Sequence, residues 1–128
     1  MSYYNKRELS IGFDEAIAKI GEELKKEGFG ILTEIDVKET FKKKLDVDFR
    51  RYKILGACNP PFAYKVLQLE ENIGVLLPCN VVVQEKEDGK VSVSFVNPME
   101  SMQNVNNPLL ADTASEVTEK LNKVLGNL

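Results

Sequence analysis

Between Cys79 and Val96 the chain alternates apolar and polar residues on both sides of Asp88-Gly89 (CNVVVQEKEDGKVSVSFV). A period of two is the mark of a strand with one buried face, and Asp-Gly is a hairpin-turn dipeptide. The register then decides everything. A two-residue turn would set Val83 opposite Ser94 and Gln84 opposite Val93, mixing apolar and polar groups on each face. A three-residue loop, Glu87-Asp88-Gly89 with Gly89 left-handed, gathers Val81, Val83, Val91, Val93 and Phe95 on one face. Cys79 falls on the same side. We expect this second register. An isolated hairpin is marginal in water, so the remaining chain must pair with it and cover its apolar face.

The remaining chain contains suitable elements. Residues 3–9 are weakly strand-like. Phe13, Ala16, Ile17, Ile20 and Leu24 recur three and four apart, the stripe of an amphipathic helix opened at Ser10 or Gly12 and stopped at Gly28. Glu15 with Lys19 and Glu22 with Lys26 have the spacing of helical ion pairs. Phe29 to Val37 reads as a strand with Phe29, Ile31, Thr33 and Ile35 on one face. Asp36 and Glu39 have capping-box spacing before a short helix carrying Phe41 and Leu45. Lys42-Lys43-Lys44, answered by Asp46 and Asp48, reads as that helix's solvated end. Arg51 to Cys58 reads as a further strand. Asn59-Pro60, Asn97-Pro98 and Asn107-Pro108 each pair an N-cap residue with a proline suited to the first helical position. The first start leads into a helix burying Ala63, Val66, Leu67 and Ile73 and stopping near Gly74. The second opens a turn with Met99 and Met102. The third opens a helix carrying Leu110, Ala114, Val117, Leu121 and Val124. The expected fold is one α+β domain over residues 1–128: a mostly antiparallel sheet of about five strands, with two to three long helices on one face, in the order βαβ(α)βαββα.

Composition limits the chemistry. Without a histidine, the usual neutral-pH acid or base and the common zinc sites are missing. The eight glycines are scattered, so no phosphate-cradling loop exists. Seventeen basic residues against 20 acidic ones, a net charge of −3, provide no basic face for nucleic acid. The longest apolar stretch, Ile73 to Val83, is broken by Pro78 and Asn80, so no membrane span is expected. Two cysteines and no export signal make the cytoplasm the expected location, without a stable disulfide.

Gly56-Ala57-Cys58-Asn59-Pro60 and Leu76-Leu77-Pro78-Cys79-Asn80-Val81-Val82-Val83, followed by Asp88-Gly89 and Asn97-Pro98-Met99, resemble the bacterial and archaeal domain of unknown function numbered 302. The resemblance spans nearly the whole chain. It implies a compact α+β domain that associates as a homodimer, and it implies no activity, cofactor or catalytic residue.

Candidate site residues follow from local chemistry. Cys58 lies where a strand meets a helix N-terminus, a setting that can lower a thiol pKa. Together with Cys79, and with Met99 or Met102 nearby, it could form a redox or soft-metal site; alternatively, both cysteines pack as small hydrophobes. Asn59 is accounted for by helix capping. Asn80 is unusual within a strand; it either bonds the Cys58-Asn59-Pro60 corner or faces a ligand. Tyr52, Tyr64, Phe62 and Lys53 are candidates to line a pocket between the sheet and the helix starting at Pro60. The expected function is a non-catalytic module, homodimeric, that binds a small ligand or regulates a partner through Cys58, Asn59, Asn80, Tyr52 and Tyr64. No cofactor is assigned. The alternative is a thiol-dependent redox or soft-metal protein using Cys58 and Cys79.

Overall fold

The hairpin adopts the register that keeps its valines together. In the computed structural model, which describes residues 2–128, β4 (Cys79–Glu85) and β5 (Val91–Val96) pair antiparallel. Val81 faces Phe95, Val83 faces Val93 and Glu85 faces Val91. The Lys86 amide donates to the Lys90 carbonyl at 2.8 Å, closing a loop of Glu87, Asp88 and Gly89. Gly89 sits at φ +84°, a conformation that side chains with a Cβ rarely adopt.

The other strands extend the sheet on both sides. With β1 (Tyr4–Leu9), β2 (Gly30–Asp36) and β3 (Tyr52–Cys58), the order is β1-β5-β4-β3-β2, antiparallel throughout. The helices are α1 (Phe13–Lys26), α2 (Val37–Leu45), α3 (Pro60–Leu69), α4 (Pro98–Ser101) and α5 (Ala111–Gly126). Leu55, Val81, Val83, Val93 and Phe95 project from one face of the sheet into a core closed by Phe13, Ile20 and Leu24 of α1 and Leu121 and Val124 of α5. Burying each such large side chain contributes about 1.5–3 kcal/mol. A smaller core joins Val66, Ile73 and Leu110 beneath α3. The opposite face carries Tyr4, Lys6, Asn80, Val82, Gln84, Ser92 and Ser94. A shallow trough there is lined only by residues of β1, β3, β4, β5 and their flanks.

Helix ends follow local chemistry. The Phe29 amide bonds the Leu24 carbonyl and the Gly28 amide bonds that of Lys25, with Gly28 at φ +84°. This is the Schellman stop, and Phe29 is buried behind it. Asp36 accepts from the Glu39 amide at 2.9 Å, but Glu39 turns its carboxylate to Lys43 (2.8 Å) instead of completing the box. Lys42 pairs with Asp46 at 3.0 Å and reaches Asp48 at 3.7 Å. On α1 the expected Glu15–Lys19 and Glu22–Lys26 pairs give way to others. Lys26 pairs with Glu23, and Lys19 donates to the Leu128 carbonyl. Exposed pairs differ by too little energy for spacing to decide among them.

Two expectations about faces are corrected. A bulge between Ile31 and Thr33 shifts the β2 register, so Ile31 lies beside Ala57 and Thr33 beside Gly56. Neighbouring residues of β3 point to opposite faces; Ile31 therefore joins the core side, while Thr33 and Ile35 leave it. Leu67, expected in the core, is 42% exposed, because α3 packs through Val66 alone at full burial.

Gly56 is confined by this bulge. A Cβ there would run into the Thr33 hydroxyl and lie 2.7 Å from Pro78 Cγ, whereas one on Gly30 would meet nothing within 4 Å. Gly56→Ala should lower unfolding free energy by about 1–3 kcal/mol. Gly30→Ala should change it by less than about 0.5 kcal/mol, both read from urea midpoints. Equal effects would refute the close-approach account.

Candidate functional site

The end of the sheet where β3 stops and β4 begins, under α3 and beside α5, encloses a cavity of about 350 Å³. Its walls draw on both cores: Phe29, Ala57, Cys79 and Val117 from the larger, Val66, Leu77 and Met102 from the smaller. Leu32, Leu67 and Pro78 complete an almost wholly apolar lining. No Asp, Glu, Lys or Arg reaches it.

The three Asn-Pro starts build this frame. Asn107 accepts from the Leu109 amide at 3.1 Å, the expected cap, and its amide nitrogen donates to the Leu69 carbonyl at 2.9 Å. Asn97 likewise accepts from Met99 (3.2 Å) and donates to the Ser2 carbonyl (3.1 Å). Asn59 occupies the N-cap position of α3 but makes no cap bond. It donates instead to the Glu27 carbonyl at 3.2 Å. Capping therefore does not account for Asn59. Its side chain ties the start of α3 to the end of α1, against Gly28. Asn107 ties the other end of α3.

Of the residues expected at the site, Cys58 and Asn59 line the cavity, as do Cys79, Phe62 and Met102. Tyr52, Lys53, Asn80 and Tyr64 do not. Tyr52 emerges on the opposite face of β3 and packs with Phe49 (ring centroids 6.0 Å apart) and Arg50 (5.4 Å over the ring). Lys53 pairs with Glu34 at 2.7 Å, and that carboxylate raises its pKa. Tyr64 is 69% exposed, since Phe62, Ala63 and Val66 take the inner face of α3. Asn80 lies opposite Gly56 on the uncovered face and is exposed. Among the described residues no hydrogen bond joins it to the Cys58–Pro60 corner.

The thiols differ from the expectation for a helix start. Burial pushes the Cys58 thiol up, not down, and pushes Cys79 from 9.0 to about 11, with Cys58 adding to the effect. Desolvation outweighs the helix amides. Both are free. Cys79 lies opposite Ala57, so alternation along β3 aims Cys58 at the other face. Among the described residues no group of three or more Cys, Asp or Glu could hold a metal ion.

Thr113 is the residue that sequence reasoning passed over. It lines the cavity at 1% exposure, and its hydroxyl is buried without a hydrogen-bond partner. Such groups cost about 1–3 kcal/mol and are uncommon. The available signal was a hydroxyl amid the stripe of Leu110, Ala114 and Val117.

The family model described as "Domain of unknown function DUF302" matches residues 5–128. The fold also matches the crystal structure of an uncharacterized conserved DUF302 protein from Bacillus stearothermophilus, with a TM-score of 0.91 and 31% identity over 98% of each chain. An uncharacterized protein of Aquifex aeolicus (strain VF5) is 36% identical over 47 residues. That match spans 37% of this chain and only 33% of the relative. Among the described residues no helix is long and apolar enough to cross a membrane.

The Cys79 shift carries a pH dependence. Its folded pKa (about 11) lies above the unfolded value (9.0), so the unfolded chain loses this proton first. The native state is unaffected below pH 9 and loses stability as pH rises towards 11. Two units correspond to about 3 kcal/mol. Unfolding free energies from pH 8 to 11 should fall more steeply for the wild type than for Cys79→Ala; parallel curves would contradict the burial account.

Proposed function

Since the chain belongs to the DUF302 family, whose description names no activity, we propose that it works as a non-catalytic small-ligand-binding module, with the cavity under α3 as its site. The observation that carries this reading is the enclosed apolar space at the seam of two cores. Close-packed interiors leave few voids larger than a water molecule, while ligand pockets begin at about 300 Å³. The wall helix α3 supports it: one residue is fully buried, and side-chain ties hold both ends. That arrangement keeps the helix in place without filling the space beneath it. Self-association belongs to the same proposal. The uncovered face of the sheet, with Tyr4, Val82 and Val96 among Ser92, Ser94 and Gln84, offers a second copy a surface on the side away from the cavity.

A thiol reading has one supporting observation, that Cys58, Cys79 and Met102 line the same cavity. It predicts tight Cu(I) binding that Cys58→Ser and Cys79→Ser each abolish. Retention of Cu(I) by both variants would dismiss it.

The uncharged fluorescent probe N-phenyl-1-naphthylamine tests the binding reading. It should bind saturably at one site per chain, and the cavity-filling Ala63→Leu should weaken it about tenfold or more while the protein stays folded by circular dichroism. Absence of saturable binding would defeat the reading. A native mass spectrum should show twice the 14.4 kDa chain mass; a monomer at micromolar concentration would remove self-association.

A further inference from the structure

We propose that the cavity takes a neutral, largely apolar molecule bearing one hydrogen-bonding oxygen, and that the Thr113 hydroxyl anchors that oxygen. This rests on the binding reading above and narrows it to a ligand class. Two independent features carry it. The first is charge. With no carboxylate, ammonium or guanidinium in the lining, an ionised ligand would be stripped of water without a counter-charge, a loss that apolar contacts do not recover. The second is the hydroxyl itself. Thr113 stands in the wall from the first full turn of α5, and its Oγ1 has no partner although almost no solvent reaches it. Elsewhere on the same helix, Thr118 satisfies its hydroxyl on the Ala114 carbonyl at 2.7 Å, so the helix can pair a threonine internally. Thr113 makes no such bond.

A hydroxyl both donates and accepts, so it serves an alcohol, ketone, ester or ether equally. Asn59 at the cavity edge is less suited to the task, because its amide nitrogen is already held by the Glu27 carbonyl. The apolar remainder of the ligand lies against Phe62, Val66, Leu77 and Val117, with Leu67 covering it from α3.

Displacement of N-phenyl-1-naphthylamine by 1-octanol, n-octane and octanoate tests the assignment. Octanol should displace the probe at the lowest concentration, octane at about fivefold higher, and octanoate at least tenfold higher. Thr113→Val keeps the shape and removes the hydroxyl. It should weaken octanol about fivefold, leave octane unchanged, and raise the melting temperature of the ligand-free protein by about 4 °C, because an unpaired buried group is gone. Octanoate binding as tightly as octanol would overturn the neutral class. An unchanged octanol affinity in Thr113→Val would overturn the anchor while leaving the binding reading intact. Failure of the naphthylamine probe to bind at all would defeat both.

Discussion

A single constraint organises the molecule: the sheet is apolar on one face only, and its pairing register must keep it so. Moving β4 by one residue against β5 would turn Val81 and Val83 towards solvent and bring Val82 and Gln84 into the core. The Asp88-Gly89 loop with its left-handed glycine prevents this slip. β3 and β1 then align on the hairpin from either side, and α1 and α5 cover the face that results. The uncovered face is equally a consequence, since alternation leaves Ser92, Ser94 and Gln84 pointing away from both helices.

Side-chain amides hold the second layer. In each Asn-Pro pair the proline starts a helical turn, and the asparagine nitrogen bonds a carbonyl distant in sequence: Glu27 from Asn59, Ser2 from Asn97, Leu69 from Asn107. Two of these ties fall at the two ends of α3. A helix so anchored need not bury a full apolar stripe, and α3 does not. Leu67 is left exposed, Ala63 half-buried, and a cavity persists below. Frame and void therefore have a common origin.

Most of the fold was legible in the residues. The hairpin, the α1 and α5 stripes, the Gly28 stop and the Asp36 cap are local patterns with local causes, and each stands where the sequence placed it. The site was legible only in part. Cys58 and Asn59 could be placed at a strand-to-helix corner because strand end, cap and proline are adjacent in the chain. Tyr52, Asn80 and Tyr64 were grouped with them by proximity along the chain, yet the alternation of β3 and β4 and the rotation of α3 send all three elsewhere. The β2 bulge is invisible without its partner strand, so the side taken by Thr33 could not be read.

What the sequence determined by itself is the single apolar face, its register and the points where helices start, because turn stereochemistry and hydrophobic period act over a few residues. What only the tertiary structure decided is the cavity. It depends on α3 and α5 meeting the end of the sheet across 32 to 38 residues of chain, and on a threonine hydroxyl whose want of a partner appears only once every neighbour is in place. Even the thiols followed that rule: a helix start argued for a lowered pKa, and burial among side chains brought from five elements raised it.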